Sequence, residues 1–297
     1  MKILNFGSCN IDFVYSLSHI VQVGETEAAR RLDVFPGGKG LNQSIAMARA
    51  GAQVFHAGCV GEDGNMLVNL LRENGVDVTY LDSVKGKNGH AIIQLSDAGE
   101  NCIFLYPGSN EAVTVAQIDR VLTEFSKEDI LVLQNEISHV KELVEAAHRK
   151  GMRIVLNPSP YDARLKDIDL GMLSYLILNE VEIRQITGIE APDVALGSLS
   201  KQYPELRMVM TLGAEGSVYR CGEEEIRQSA FRAEVVDTTA AGDTFLGYFV
   251  TCVAQDVPID EALRMASMAS AIAVSRMGAS PSIPARDEVL GARERIS

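Results

Sequence analysis

A chain of 297 residues, 46% hydrophobic and 23% charged, can bury the core of one large α/β domain or of two smaller ones. Its formal net charge of −13 argues against nucleic acid and anionic membrane as partners, and any phosphate ligand must be attracted by local N–H dipoles, a lysine and bound cations. Five scattered cysteines without a CxxC pair read as reduced cytoplasmic thiols, five histidines without an HxxxH or HExxH cluster argue against zinc, and no apolar run is long enough for a membrane-spanning helix.

In chain order, residues 3–6 read as a first strand, too short an apolar run for a signal peptide. Residues 11–36 hold a strand-and-turn segment around Gly24. A Gly-rich turn then opens a helix over 41–49. Next come a strand over 54–57, a turn with Asp63 as a capping residue, a helix over 65–73 and a strand over 76–81. Residues 89–106 read as a hairpin turning at Ser96-Asp97-Ala98-Gly99-Glu100. Beyond it, strands are expected at 130–133, 154–156, 175–178 and 208–211, and helices at 116–124, 140–150, 181–186, 192–202, 242–254 and 259–276. This alternation predicts an α/β fold with a doubly wound parallel sheet. The segments 11–36 and 89–106 fall outside the rhythm and form either a small second sheet, as a lid, or an edge extension of the main one.

Polar clusters follow the strands. Gly7-Ser8-Cys9-Asn10-Ile11-Asp12, Gln134-Asn135-Glu136, Asn157-Pro158, Asn179-Glu180 and Leu212-Gly213 all sit at carboxyl ends, where open α/β sheets bind ligands. The most informative stretch is Val236-Asp237-Thr238-Thr239-Ala240-Ala241-Gly242-Asp243-Thr244-Phe245. Phe245, Leu246, Phe249, Val250 and Val253 mark one face of a helix, so Ala240, Ala241, Gly242 and Asp243 occupy its first turn. Free N–H groups and the positive dipole end there suit an anion, and Asp243 beside them can take a proton from an alcohol. The combination suggests a small-molecule kinase. Read alone, Asp243 is also an ordinary capping residue.

Other candidates carry a similar choice. Pro36-Gly37-Gly38-Lys39-Gly40-Leu41-Asn42 is not a Walker A loop; it reads as a ligand-facing turn with Lys39 and Asn42 on substrate, or as a plain turn with a solvated lysine. Asn10 and Asp12 face the same way if extended and offer an amide and a carboxylate to neighbouring sugar hydroxyls, or else make an Asx turn. Asn179 and Glu182 organise hydrated Mg²⁺ or phosphates, form a capping box, or do both. Thr211-Leu212-Gly213-Ala214-Glu215-Gly216 brings backbone near a nucleotide or simply turns. The small residues from Ala266 to Ala273 admit a helix or a flat ring, and 275–282 is a loop of carbonyls and hydroxyls suited to a weakly held cation.

Together these motifs resemble the ribokinase (PfkB) family of carbohydrate kinases, nearly end to end and in the family's order. The resemblance rests on Gly7-Ser8-x-Asn10-x-Asp12, Pro36-Gly37-Gly38-Lys39-Gly40-x-Asn42-Gln43, Asn179-Glu180-x-Glu182, Asp237-Thr238-x-Ala240-Ala241-Gly242-Asp243-Thr244-Phe245 and Arg276-x-Gly278-Ala279. Gly24-Glu25-Thr26, Gly99-Glu100-Asn101 and Pro107-Gly108-x-Asn110 look like the ribokinase branch. The resemblance implies a single domain over 1–297, a doubly wound, mostly parallel sheet flanked by helices, and a small β-sheet lid from roughly 11–36 and 89–106 that also makes a homodimer. It implies ATP-dependent phosphorylation of a sugar's primary hydroxyl, D-ribose first, or else fructose, deoxyribose, a sugar acid or a nucleoside.

Position by position, the resemblance makes Asp243 the base and the N–H groups of Ala240 to Asp243 an anion hole. Asn10, Asp12, Gly38, Lys39, Asn42 and Glu136 hold the sugar. Asn179, Thr211, Leu212, Gly213, Ala214, Glu215 and Gly216, with Gly242 and Ser267, line ATP, and Glu182 lies near Mg²⁺ through water. Asp237, Thr239, Ala273, Arg276, Gly278 and Ser282 match a K⁺ site built largely of carbonyls. Three departures stand out: Leu41 for a small residue, Asn135 and Ser138 in the 134–138 stretch, and Ser267 where His or Asn is usual near adenine. The first two bear on which sugar is taken. A regulator without catalysis and a Rossmann-type dehydrogenase are the rival classes; an intact Ala-Ala-Gly-Asp turn and the missing GxGxxG argue against them.

Overall fold

The computed structural model describes residues 1–296, with side chains as far as Ala292. Its strands are β1 (Ile3–Phe6), β2 (Asn10–Leu17), β3 (Arg31–Gly37), β4 (Val54–Val60), β5 (Asp77–Ser83), β6 (Gly89–Ser96), β7 (Asn101–Tyr106), β8 (Ile130–Gln134), β9 (Arg153–Asn157), β10 (Tyr175–Asn179), β11 (Arg207–Thr211), β12 (Ser217–Cys221) and β13 (Glu224–Gln228). The helices are α1 (Lys39–Arg49), α2 (Asn65–Glu73), α3 (Val115–Leu122), α4 (Val140–Arg149), α5 (Glu180–Thr187), α6 (Pro192–Gln202), α7 (Ala241–Ala254), α8 (Ile259–Val274) and α9 (Arg286–Ile296).

Side-chain alternation along the central strands explains the layering. Ile3, Val132, Tyr175 and Val209 point to one face of the sheet and meet Ile45 of α1, Phe249 of α7 and Leu263 of α8. Leu4, Phe6, Leu131, Leu133 and Met208 point to the other and meet Leu143 of α4, Ile183 of α5 and Leu196 of α6. Strands covered on both faces must be apolar throughout, as Ile-Leu-Val-Leu of β8 is. The main sheet runs β13-β12-β11-β10-β9-β8-β1-β4-β5, parallel from β5 to β11 and antiparallel through β12 and β13. β1 sits between β4 and β8, so the chain first winds to one side and later to the other, which opens a crevice at the strands' carboxyl ends.

The segments outside the rhythm make a separate four-stranded sheet, β3-β2-β6-β7, rather than an extension of the main one. β2 follows β1 after only Gly7-Ser8-Cys9, so the small sheet is joined directly to the central strand. Sequence reasoning did not anticipate β12, β13 or α9. It also assigned Asp63 to capping. The cap position of α2 is Gly64, without a side-chain bond, and Asp63 Oδ1 instead accepts Asn88 N–H at 2.8 Å, tying the turn after β4 to the start of β6.

α1 and α7 cross closely because Gly247 has no side chain; a Cβ there would lie 2.4 Å from Ala46 Cβ. That crossing sets the beginnings of α1 and α7 side by side above the carboxyl ends of β1 and β8 to β10.

Candidate active site

At the start of α7, Ala240 takes a left-handed conformation with φ 59°, a backbone cost of roughly 1–2 kcal/mol for a residue with a Cβ. The kink turns the chain into the helix: Ala241 N–H donates to Thr238 O at 3.2 Å and Thr244 N–H to Ala240 O at 2.8 Å. The amides of Gly242 and Asp243 have no acceptor among the described residues. A Cβ on Gly242 would meet no heavy atom within 4 Å, so the helix end is open in front of them. Of the expected anion hole, Ala241 N–H is thus engaged by its own turn, and the Ala240, Gly242 and Asp243 amides are the ones without an acceptor among the described residues. They border a cleft of about 250 Å³ that Lys39, Asn157, Asn179, Glu182, Thr211 and Thr238 also line.

Asp243 is 8% exposed, with both carboxylate oxygens held. Asn42 Nδ2 donates to Oδ2 at 3.1 Å and Gln43 Nε2 to Oδ1 at 2.9 Å. Asn42 Oδ1 is buried and has no partner among the described residues.

The Gly-rich turn is built for close approach. Gly38 has φ 93° and precedes α1, which begins at Lys39; a Cβ on Gly40 would lie 2.3 Å from Ser8 N. Glu136 Oε2 accepts Lys39 N–H at 2.9 Å and the Ser8 hydroxyl, a carboxylate set on the positive end of α1. Glu136 Oε1 has no hydrogen-bond partner among the described residues. Burial raises the Glu136 pKa, against the opposing pull of Lys39 and Ser8. Burial alone would lower Lys39, but the carboxylates of Asp243, Glu136 and Glu182 outweigh it and move its pKa up. Lys39 therefore stays a cation among three acids.

Asn10 and Asp12 lie on the same face of β2, as extended spacing requires. Asn10 Oδ1 accepts Asn110 Nδ2 at 2.7 Å, and Asn110 Oδ1 accepts Cys9 N–H at 3.1 Å. Asp12 lies over Gly37, where any Cβ would sit 2.1 Å from Oδ2. Burial, then the Glu136 charge, raises the Asp12 carboxyl to about 6.

On the other side of the cleft, Asn179 and Glu182 form a full capping box. Asn179 Oδ1 accepts the N–H groups of Val181 and Glu182 at 2.9 and 3.0 Å, and Glu182 Oε2 accepts Asn179 N–H at 2.9 Å. Both still line the cleft, so the capping role and a ligand-facing position coexist. Of the stretch 211–216, only Thr211 lines it. Leu212, Gly213, Ala214 and Glu215 are not among its lining residues, and at Gly216 a Cβ would strike Gln228 O at 2.0 Å. Ser267, on α8, is buried with Oγ unpaired among the described residues.

The loops before α7 and after α8 are joined by Asp237. Its carboxylate accepts Thr239 N–H at 2.9 Å, the Thr239 hydroxyl at 2.6 Å and Gly278 N–H at 2.8 Å. Ala273 O accepts Arg276 N–H, the Ser282 hydroxyl donates to Ala279 O, and the Arg276 guanidinium pairs with Glu288. The departures lie elsewhere. Leu41 is fully buried in the core, and Asn135 turns to Pro160 O at 2.7 Å and Ser138 to Val113 O at 3.0 Å. Leu41, Asn135 and Ser138 do not line the cleft, and neither do the sugar-side candidates Asn10, Asp12, Gly38, Asn42 and Glu136.

Gln43, Asn157, Asn110 and Ser8 had no role assigned from sequence. Each stood in a motif or a polar cluster after a strand, Gln43 next to Asn42, Ser8 and Asn157 at carboxyl ends and Asn110 after Pro107-Gly108, but which partner each meets is set only by the fold.

Comparison with known proteins agrees with this geometry. The profile described as pfkB family carbohydrate kinase matches residues 1–286. The chain is 35% identical over 294 residues to a ribokinase of Haemophilus influenzae, covering 96% of this chain and 95% of that one. The crystal structure of ribokinase from Cryptococcus neoformans in complex with ADP superposes with a TM-score of 0.87 at 32% identity, covering 98% and 99% of the two chains. Arabidopsis thaliana ribokinase complexed with ribose and ATP is similar too, with a TM-score of 0.87, 29% identity and coverage of 98% and 97%.

Proposed function

Because the chain belongs to the pfkB family of carbohydrate kinases, we propose that it transfers the γ-phosphate of ATP to the primary hydroxyl of a sugar, converting D-ribose to D-ribose 5-phosphate. One observation carries this reading: a carboxylate held by two amide donors stands beside unpaired backbone N–H groups at an open helix start.

Asp243 takes the proton of the sugar hydroxyl, the freed oxygen attacks the γ-phosphorus, and the bond to the β-phosphate oxygen breaks to release ADP. The Gly242 and Asp243 amides and Lys39 face the charge that the moving phosphoryl group carries. Asn42 joins the two tasks, since its Nδ2 steadies the base while its unpaired Oδ1 is left for a sugar hydroxyl. Asn10, Asp12, Glu136 Oε1 and the Gly38 backbone complete the sugar side, beneath the small sheet as a lid. ATP lies across the cleft from Asn179 and Thr211 towards Ser267.

The oxygen-rich, acid-lined cleft fits a hydrated Mg²⁺ beside Glu182; when bound, such an ion neutralises phosphate charge. The loops joined by Asp237, with carbonyls from 237–239 and 273–282, suit K⁺. The exposed apolar residues of β3 and β7 (Leu32, Val34, Phe35, Ile103, Phe104, Leu105) favour pairing with a second copy through the lid. Five unpaired thiols accord with the cytoplasm.

A coupled ADP-release assay over sugars and nucleosides tests the reading. D-Ribose should give the highest kcat/KM. No acceptor-dependent ADP release would sink the kinase reading, and a higher value for fructose, deoxyribose, a sugar acid or a nucleoside would replace the acceptor.

A further inference from the structure

We propose that Gln43 is the positioning residue for Asp243, holding its carboxylate in the orientation that meets the sugar hydroxyl. This rests on the reading of Asp243 as the base. Gln43 is 1% exposed and lies behind the cleft, so it reaches the reaction only through the groups it holds.

Its amide cannot turn over. Nε2 donates to Asp243 Oδ1 at 2.9 Å and to Asn157 Oδ1 at 3.2 Å, and Oε1 accepts Gln134 Nε2 at 2.7 Å. A flip would set oxygen against two oxygens and one NH₂ against another. Gln134 is fixed in turn, because its Nε2 also donates to Asn5 Oδ1 at 2.9 Å. Asn5 Nδ2 donates to Gly40 O at 2.7 Å and Ser44 Oγ at 2.8 Å, and Ser44 Oγ lies 2.8 Å from His56 Nδ1. Asn5, Ser44 and His56 are fully buried. Burial keeps His56 neutral, with a pKa lowered to about 4, and this uncharged ring passes on to Cys9, whose Sγ lies 3.3 Å from Nε2.

The relay therefore runs from β4 through β1 and β8 to α1, all rigid elements, and ends on the carboxylate. Polar groups so deep in a core are costly unless paired, and apart from Gln134 Oε1, which has no partner among the described residues, the amides of this network are held in one arrangement. Asn42 holds Oδ2 and Gln43 holds Oδ1, so only the remaining lone pairs face the acceptor.

The test is Gln43→Met, which keeps the side chain's length and removes both hydrogen-bonding ends. kcat should fall roughly 10²-fold, the scale of a small misplacement of a reacting group, with KM for ribose and ATP and the ADP affinity by calorimetry unchanged. Gln134→Met should lower kcat less, and should add nothing in the Gln43→Met background, since it acts through Gln43. Wild-type kcat in folded Gln43→Met overturns the proposal, as does a loss that falls on KM or on ADP affinity. Gln43→Leu likewise removes the donor to Asp243 and carries the same expectation should the methionine variant not fold. Asp243→Asn is assayed beside them. Normal turnover there removes the base reading itself, whereas an inactive Asp243→Asn beside a normal Gln43→Met removes only the role of Gln43.

Discussion

Asn42 and Asp243 stand 201 residues apart in sequence and meet amide to carboxylate at 3.1 Å. The meeting is a product of packing: the Gly247 notch lets α7 settle on α1, and each helix begins at the same corner. The site is thus held by the helix crossing as much as by its own hydrogen bonds.

Removing the charge at that corner should stop the chemistry and leave the fold. Asp243→Asn keeps the volume and one of the two amide contacts, its new NH₂ facing a donor in place of the other, so the melting temperature should fall only slightly below that of the parent chain. The rate of ADP release should drop roughly 10²–10⁴-fold, the scale of a positioned base.

Two glycines of α7 should respond in opposite ways. A side chain on Gly242 meets open space, so Gly242→Val should fold normally yet lose ATP turnover, because the new methyls stand where phosphate must lie. Gly247→Ala should cost about 1–3 kcal/mol of stability, since its Cβ would lie 2.4 Å from Ala46 Cβ. Urea unfolding and steady-state kinetics on both variants separate the two effects.

Two buried groups pull stability in opposite directions in acid. The Asp12 carboxyl is raised from 3.8 to about 6, by burial and then by Glu136; the folded chain binds more protons across that window, so stability falls as pH rises through it. His56 is lowered from 6.5 to about 4 by burial; the folded chain binds fewer protons there, so stability falls as pH drops through it. Asp12→Asn removes the first effect and leaves the second unopposed. The urea midpoint of that variant should therefore fall more steeply with acid than that of the parent. In the parent, kcat/KM for ribose should also decline as pH is lowered through about 6, because a protonated Asp12 offers fewer acceptors to sugar hydroxyls.

Asp237 joins the loop before α7 to the loop after α8 through three hydrogen bonds. Activity should rise when K⁺ replaces a large organic cation in the buffer. Asp237→Ala should shift half-maximal activation to higher K⁺, since the carbonyls lose their common anchor. Equal rates with and without K⁺ in the parent chain would remove the cation reading.

Leu41 departs from the family pattern, yet it is fully buried among apolar residues. Leu41→Ala should cost about 2–5 kcal/mol of stability, as other large-to-small core changes do, and leave the ranking of acceptor sugars unchanged. A changed ranking would return Leu41 to the sugar pocket.

Sequence was a good guide wherever one element carried its own signal. The apolar run of β8, and the periodic faces of α2 and α4, needed no partner to be read. The turn at Gly99, with φ 79°, marked the β6–β7 hairpin. β13 was hidden because its residues Glu224, Glu225 and Arg227 are charged; it is kept at the edge by pairing with β12 and by ion pairs such as Arg220–Glu225 and Arg227–Asp193. The motifs led to Asp243, Asn42 and Lys39, but Asn5, Gln43, Gln134 and Asn157 come from four separate segments, and no local spacing links them. The departures at Leu41 and Asn135 show a related limit: position in a motif does not say which way a side chain points on its element, and these two are held by the core and by Pro160 O.

The order in which the corner is assembled has a consequence for synthesis. β1, the Gly-rich turn and Glu136 leave the ribosome well before Asp243, and the loop bearing Gly278 follows later still. Until α7 docks on α1, the waiting residues lack Asp243, the base in the proposed reaction. A nascent chain therefore cannot consume nucleotide, and turnover begins only when late-made and early-made segments meet.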